Sequence, residues 1–291
     1  MTLFLLHQNH KECTMLRLNK KCLMLLVVGC LYMTTASATS RMPPLPPECH
    51  AADEAKDPEA KVNLYTQCLS GRVRLEDLRG GMMQDWQRPD IHFRRGNAFF
   101  ELGRYTEALK DYNFLIDKAG GHVWGFHQRG MTHEAMGQNA KALADYNHAL
   151  KLNQEAIDVR YSRGALLVKM GHYRKALPDL RFAAKESPKT SEFVNALAWL
   201  LATCPDAKVR DGKEAVQLAG RVVSVERTSS YLDTLAAAHA RTGDFGKAIS
   251  TQKEVLLLAQ SEKASAEVLD EFKRRLDLYM AGKAYTDERA K

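Results

Sequence analysis

Histidine, cysteine and acidic residues are the side chains in this sequence that could bind a metal ion or act as catalytic groups. His133 and Glu134 are adjacent, as in zinc-binding helices, but Gly137 occupies the position of the second histidine that such a helix needs. His122, His127 and His133 follow one another at irregular intervals, a pattern typical of surface or groove histidines. The sequence therefore predicts no metal centre.

Catalytic and cofactor-binding motifs are also missing from the sequence. It contains no CxxC pair, no GxSxG nucleophile turn and no glycine-rich phosphate loop. Cys204 is not expected to be a nucleophile, because the sequence indicates no base that would activate its thiol. Its position beside Pro205 predicts instead that it fills a small apolar space at a helix end. We predict a protein with no enzymatic activity, no catalytic residues and no cofactor.

One pairing of charged residues repeats along the chain. Three arginines lie 34 residues apart, and an aspartate follows each after 16 residues; the pairs are Arg95 and Asp111, Arg129 and Asp145, and Arg163 and Asp179. Each arginine precedes a glycine, where two helices can approach closely, so we expect both side chains to reach a common interface. The prediction is a structural ladder of Arg–Asp pairs, within or between helical hairpins, that fixes register more than it adds stability.

The same interval of 34 residues applies to the residues that shape the backbone. It separates Gly96, Gly130 and Gly164, then Gly103, Gly137 and Gly171, and also Ala108, Ala142 and Ala176. A strict period of this length is typical of stacked helical hairpins, which expose an extended concave surface. Residues 105–118 place their apolar side chains close to a period of 3.6, as an amphipathic helix requires.

The third copy of this unit shows its residues most completely: Gly164, Gly171, Tyr173, Ala176 and Pro188. This succession of small residue, turn glycine, aromatic, alanine and closing proline resembles the tetratricopeptide repeat family. The resemblance implies an all-α fold, a right-handed superhelical solenoid of helix-turn-helix hairpins with terminal capping helices. The implied units are a capping hairpin and linker at 47–88, repeats at 89–122, 123–156, 157–190, 191–228 and 229–262, and a capping helix and tail at 263–291. Extra residues near 204–211 predict a longer loop in the fourth repeat.

The leader at residues 1–38 is expected to be a bacterial signal peptide, and residues 15–38 carry its features. A basic segment ending at Lys21 precedes the apolar run Cys22–Met33, and Ala-Ser-Ala at 36–38 provides a cleavage site. The apolar run is shorter than the ~20 residues of a membrane span. We therefore expect export to the periplasm, with a proline-rich spacer at 39–46.

Two details of this leader are left open. Residues 1–14 fit no signal pattern, so translation starting at Met15 is an alternative. The segment Val27 to Cys30 resembles a bacterial lipobox, which would place a lipid on Cys30 and make the protein an outer-membrane lipoprotein. We favour cleavage after Ala38, because the apolar run continues beyond Cys30. Membrane association is expected only if Cys30 is lipidated.

Two cysteines beyond the leader are placed to form a disulfide. Cys49 and Cys68 lie one on each helix of the N-terminal capping hairpin that the resemblance implies. In an oxidising compartment we expect them to be bonded to each other, and two buried free cysteines are the alternative.

The charge balance bears on the class of partner. The formal net charge is +7 at pH 7, and residues 1–38 hold four basic residues and one acidic residue, which leaves +4 on the remainder. Both signs are interspersed there, without the clustered positive charge that nucleic acid binding needs. We therefore predict a protein partner and no nucleic acid.

The resemblance also implies which residues bind that partner, because the first helix of each repeat lines the concave groove in this family. The matched groove positions are Phe93, Asn97, Phe100, Glu101, Trp124, His127, Met131, Glu134, Asp158, Tyr161, Ala165, Val168, Lys169, Asn195, Trp199, Asp233 and Arg241. Phe100, Trp124 and Trp199 are equally compatible with core packing. Asn97 and Asn195 match the family's clamp for a peptide carboxylate, but Glu101 stands where that clamp has a lysine, which argues against an acidic C-terminal peptide.

These features favour a non-enzymatic scaffold or adaptor that binds an extended or helical segment of a partner protein in the groove. Two alternatives remain at this stage. One is a lipid-anchored factor for outer-membrane assembly, similar to a pilotin, and the other is a non-catalytic docking subunit of an envelope enzyme complex. The sequence makes no prediction of the oligomeric state.

Overall fold

The computed structural model describes residues 47–70, 89–118 and 122–288. The predictions for residues 1–46, which concern the signal, the spacer and lipidation of Cys30, lie outside the described residues, as does the linker 71–88. None of the described helices is long and apolar enough to cross a membrane.

The described residues form thirteen α-helices joined by turns and loops. In chain order these are α1 (Pro47–Glu54), α2 (Pro58–Ser70), α3 (Pro89–Glu101), α4 (Tyr105–Lys118), α5 (Val123–Ala135), α6 (Asn139–Leu152), α7 (Ile157–Lys169), α8 (Tyr173–Glu186), α9 (Ser191–Thr203), α10 (Gly212–Val225), α11 (Ser229–Arg241), α12 (Phe245–Ser261) and α13 (Ala266–Met280).

Consecutive helices pair as hairpins, from α1 with α2 to α11 with α12, and each hairpin packs against the next. The first helices of neighbouring hairpins (α3, α5, α7, α9 and α11) contact one another, whereas the second helices approach each other less closely. The first helices therefore line the inner side of the stack. The arrangement is the expected all-α, right-handed superhelical solenoid, with α1–α2 and α13 as its terminal caps.

Glycine is needed at two kinds of position in each hairpin, and the second hairpin illustrates both. Gly137 has a φ of 73°, which lets the chain turn from α5 into α6 within three residues. Gly130 lies where α5 crosses α6, and a Cβ atom there would be 2.6 Å from Cε1 of Tyr146. The periodic glycines thus set both the turn and the distance between the two helices.

The predicted Arg–Asp ladder is present, and all three pairs form within a hairpin. Each arginine donates from Nε and Nη2 to the two carboxylate oxygens of its aspartate, with N–O distances of 2.7–2.9 Å. In the fourth hairpin Leu197 and Leu218 occupy the corresponding positions and belong to a continuous apolar core. Polar pairing and apolar packing therefore serve the same crossing in different hairpins.

The fourth hairpin also differs in its turn. Residues 204–211 separate α9 from α10, whereas three residues separate α5 from α6. The loop is held by the Asp211 amide, which donates to the Leu201 carbonyl at 3.0 Å, and by the Asp211 carboxylate, which accepts from the Glu214 amide at the start of α10. Cys204, at the beginning of this loop, is buried and free, as expected for an apolar filler.

The N-terminal cap is closed covalently. Cys49 on α1 and Cys68 on α2 form a disulfide in the structure, with 5.3 Å between their Cα atoms. Both side chains are buried, and the Tyr65 hydroxyl donates to Asp53 at 2.5 Å across the same hairpin. The cap is therefore held together by a bond as well as by packing.

Candidate binding groove

The sequence-predicted groove residues lie on α3, α5, α7, α9 and α11, the helices that line the inner side of the solenoid. Several of them are fixed by tyrosines of the second helices. Tyr112 donates to Asn97 Oδ1 at 2.8 Å, and Tyr146 donates to Glu134 Oε2 at 3.2 Å. These bonds hold the polar side chains in defined positions on the inner face, which lowers the entropy cost of binding a ligand.

Other groove residues connect neighbouring hairpins. The Tyr161 hydroxyl on α7 donates to Glu192 Oε1 on α9 at 2.8 Å, and Lys169 Nζ lies 3.5 Å from Glu134 Oε1 on α5. Four further groove residues, Phe93, Phe100, Met131 and Asn195, are half-buried, while Glu101 is exposed. The inner face from α3 to α9 is therefore a mixed aromatic and polar surface.

His127 is buried more deeply than the groove prediction requires. Its side chain is only 6% exposed, packs against the rings of Trp124 and Tyr146, and shares a hydrogen bond of 2.9 Å between Nε2 and Ser162 Oγ. Burial lowers the pKa of its imidazole, although the negative charge of Asp158 acts in the opposite direction. Trp124, at 43% exposure, presents most of the accessible surface there, and contact of His127 with a partner stays a prediction.

Asp233 is the clearest error among the predicted groove residues. Its carboxylate is buried by α12 and α13, where it accepts hydrogen bonds from Gln252 Nε2 at 2.9 Å and from Arg275 Nε at 3.0 Å. The sequence placed it by its position on the first helix of the fifth repeat. That assignment failed because the C-terminal capping helix covers this part of the inner face.

A cleft of about 390 Å³ lies between the inner sides of α7 and α9. Four predicted groove residues line it: Ala165, Val168, Lys169 and Trp199. The sequence did not predict the other lining residues, which are Tyr173, Leu200, Thr203, Cys204, Pro205 and Asp287. Its walls are mainly apolar, with one basic and one acidic residue among them, as is typical of a site that binds part of a ligand chain.

A second depression, of about 460 Å³, lies where α5 and α7 begin. Trp124 and Asp158 from the predicted groove line it, together with His122 and Glu155. Across the described residues, no group of three or more His, Cys, Asp or Glu side chains is arranged to hold a metal ion.

The segment after α13, residues 283–288, crosses the inner face at the cleft, and we call it the terminal segment. The Asp287 amide donates to the Thr203 carbonyl at 2.8 Å, and the Asp287 carboxylate accepts from Trp199 Nε1 at 3.1 Å. Arg241 Nη2 donates to the Tyr285 carbonyl at 2.5 Å. Arg241, predicted as a groove residue, therefore does face the inner side, where this chain's own terminal segment covers it.

The fold is similar to several solved structures of tetratricopeptide repeat proteins. MamA, residues 41 to the end, from Desulfovibrio magneticus RS-1 matches with a TM-score of 0.53 and 19% identity, over 60% of this chain and 97% of that chain. A tetratricopeptide repeat protein from Parabacteroides merdae ATCC 43184 matches with a TM-score of 0.55 and 17% identity, over 80% and 96%. YrrB, described as a TPR protein with an unusual peptide-binding site, matches with a TM-score of 0.54 and 15% identity, over 72% of this chain and 97% of that chain.

The sequence comparison identifies the repeat itself. Residues 134–171 match a family model described as TPR repeat. No curated protein matches the chain. The protein therefore carries a tetratricopeptide repeat and has the tetratricopeptide repeat fold.

Proposed function

We propose that this protein is a non-enzymatic scaffold that binds a segment of a partner protein along its inner face. The observation that carries this proposal is the cleft between α7 and α9. Apolar walls of Ala165, Val168 and Trp199 can accept a side chain of the partner, and the charged groups of Lys169 and Asp287 can orient it. An extended or helical segment lying along the groove would contact several hairpins at once.

The similarity to YrrB supports the proposal at the level of the fold. That protein is described as having a peptide-binding site, and its structure covers 72% of this chain. At 15% identity the likeness does not transfer individual residues. The side chains assigned to binding here therefore rest on the contacts of this structure.

We further propose that the scaffold acts in the bacterial periplasm after cleavage of the signal at Ala38. The disulfide between Cys49 and Cys68 supports an oxidising compartment, because such bonds are rare in reducing ones. Mass spectrometry of the mature N-terminus tests this: a chain starting at Thr39 agrees with cleavage, whereas a lipid on Cys30 would establish the anchored form instead.

In-cell crosslinking followed by affinity purification tests the binding proposal. Ala165→Leu enlarges a half-buried side chain that lines the cleft, and Ala140→Leu makes the same change at an exposed position on α6. We expect one partner to be captured by the wild type and by Ala140→Leu, and to be reduced at least about tenfold with Ala165→Leu, the effect of losing one buried side-chain contact. Equal capture by all three folded proteins would exclude the cleft as the binding site.

A further inference from the structure

The terminal segment lies on the inner face in the way that a bound peptide would. We propose that Trp199, Thr203, Arg241 and Arg275 form a site for a non-helical acidic segment with an aromatic residue two positions before the acid, and that the chain's own residues 283–288 occupy this site until a partner displaces them. The inference rests on the proposed function, because it defines what kind of segment the C-terminal part of the groove accepts.

Two hydrogen bonds hold the main chain of the terminal segment, and they do not depend on its side chains. The Arg241 guanidinium binds the Tyr285 carbonyl, and the Thr203 carbonyl accepts the Asp287 amide at 2.8 Å. Arg241 is itself fixed, because its Nε donates to the Ala202 carbonyl at 2.6 Å. A donor and an acceptor on the inner face are thus set to pair with two residues of a peptide backbone, as in other modes of peptide recognition.

Four side-chain contacts, made by Tyr285, Thr286 and Asp287 of the terminal segment, add sequence preference. The ring of Tyr285 lies 5.9 Å from the Trp199 ring between centroids, and the Arg275 guanidinium lies 5.0 Å from the centre of the Tyr285 ring. Trp199 Nε1 donates to the Asp287 carboxylate, and Arg241 Nη2 donates to the Thr286 hydroxyl at 3.1 Å. Aromatic, hydroxyl and acidic residues at three successive positions therefore each meet a matching group.

The charge of the site favours an acidic ligand. Arg275 is neutralised by Asp233, whose carboxylate lies 3.0 Å away. Arg241 is half-buried, and among the described residues its guanidinium bonds two carbonyls and a hydroxyl but no carboxylate. A half-buried cation without a negative partner attracts anionic residues, and the acid of the terminal segment lies close by.

The cleft beside Asp287 can accept residues of a partner segment that extend beyond the site of the terminal segment. Asp287 belongs both to the terminal segment and to the wall of the cleft, whose far side is formed by α7. A partner segment that takes the place of residues 283–288 would therefore extend directly toward Ala165 and Lys169. The occupied and open parts of the inner face form one continuous surface.

Attachment to the same chain makes the terminal segment a strong competitor. A short tether gives an effective concentration of about 1 mM, so a peptide with a dissociation constant of about 0.1 mM binds roughly tenfold more weakly to the wild type than to an unoccupied site. The double variant Tyr285→Ala with Asp287→Ala leaves the site intact and removes the side chains that anchor the segment.

A labelled peptide with the sequence AGKAYTDE, corresponding to residues 281–288, tests the inference by fluorescence anisotropy. We expect it to bind the double variant about tenfold more tightly than the wild type, and a control peptide AGKAATAE to bind neither. Circular dichroism melting first establishes that the double variant is folded. In the wild type, saturating peptide should also speed hydrogen exchange of the Asp287 amide, because displacement breaks its bond to Thr203.

Absence of binding to the folded double variant, or equal binding of both peptides, would overturn the inference. Equal affinity of the peptide for wild type and variant would overturn occupation by the terminal segment. None of these readings depends on capture of a cellular partner. A specific peptide complex combined with unchanged partner capture by Ala165→Leu would retain this site and reject the cleft, so the two proposals fail separately.

Discussion

The guanidinium of Arg129 holds the carboxylate of Asp145 through two hydrogen bonds, 2.9 Å from Nε to Oδ2 and 2.7 Å from Nη2 to Oδ1. Its third nitrogen, Nη1, donates to Oδ1 of Asn113 at 2.7 Å. Asn113 lies on α4, the second helix of the preceding hairpin. One side chain thus joins α4, α5 and α6. Arg163 repeats the arrangement with Asn147, so the ladder links hairpins as well as closing each one.

A double-mutant cycle on Arg129 and Asp145 should show strong coupling. The two side chains are 23% and 9% exposed, so removing one leaves the other partly buried without its partner. We expect Arg129→Ala and Asp145→Ala each to lower the free energy of unfolding by about 2 kcal/mol, with a coupling of at least about 1 kcal/mol in urea denaturation.

The exposed pair Arg227 and Glu254 provides the control for this cycle. Its side chains are 55% and 44% exposed, so solvent screens their attraction. The same cycle there should give a coupling below about 0.5 kcal/mol. If both pairs gave equally small values, the ladder would have no energetic role.

Replacement of glycine by alanine should change the stability in opposite directions at Gly130 and Gly220. Gly130→Ala places a Cβ 2.6 Å from Cε1 of Tyr146, so α5 and α6 must separate or the ring must move, at a cost of about 1–3 kcal/mol. Gly220→Ala on α10 meets no atom within 4 Å and should stabilise the protein by about 0.5–1 kcal/mol, because alanine favours the helix. Thermal melting of both variants measures the difference, and a stabilised Gly130→Ala would disprove the close packing.

The fold was predictable from the sequence because its determinants are periodic. Gly130, Arg129 and Asp145 recur at 34-residue intervals, and each has a local geometric role that one hairpin explains. The same regularity located the inner-face residues Ala165 and Trp199, since their positions follow from the register of the first helices.

The C-terminal half of the groove was not predictable in this way. Asp233 was assigned from its register, but its burial depends on Gln252 and Arg275, which lie 19 and 42 residues further along the chain. The terminal segment does not belong to the repeat and has no periodicity. Tyr285 and Asp287 contact Trp199 only because the solenoid brings α9 close to the segment that follows α13. Contacts made once, between distant parts of the chain, leave no repeating signal.

The disulfide of the N-terminal cap should contribute measurably to stability. Cys49 and Cys68 close a loop with a sequence separation of 19 residues, which restricts the unfolded chain and corresponds to about 3 kcal/mol. We expect Cys68→Ser to lower the unfolding free energy of the cap by about this amount and to make it insensitive to dithiothreitol. Wild-type protein should become less stable on reduction, and no effect of the reductant would show that the cap folds without the bond.

The acid sensitivity of the first hairpin should depend on Asp111. Burial alone would raise the pKa of this carboxyl, but hydrogen bonds from Arg95 and His92 hold it below its ordinary value. The unfolded chain therefore binds a proton more readily, so Asp111 stabilises the fold above about pH 4, its unfolded pKa, and this contribution is lost as the pH falls through the lower folded value. Urea denaturation of Asp111→Asn should show a smaller loss of stability between pH 7 and pH 3 than the wild type, whereas Asp117→Asn, at an exposed position on the same helix, should follow the wild type. A wild-type pH dependence in Asp111→Asn would show that other carboxylates determine the acid transition.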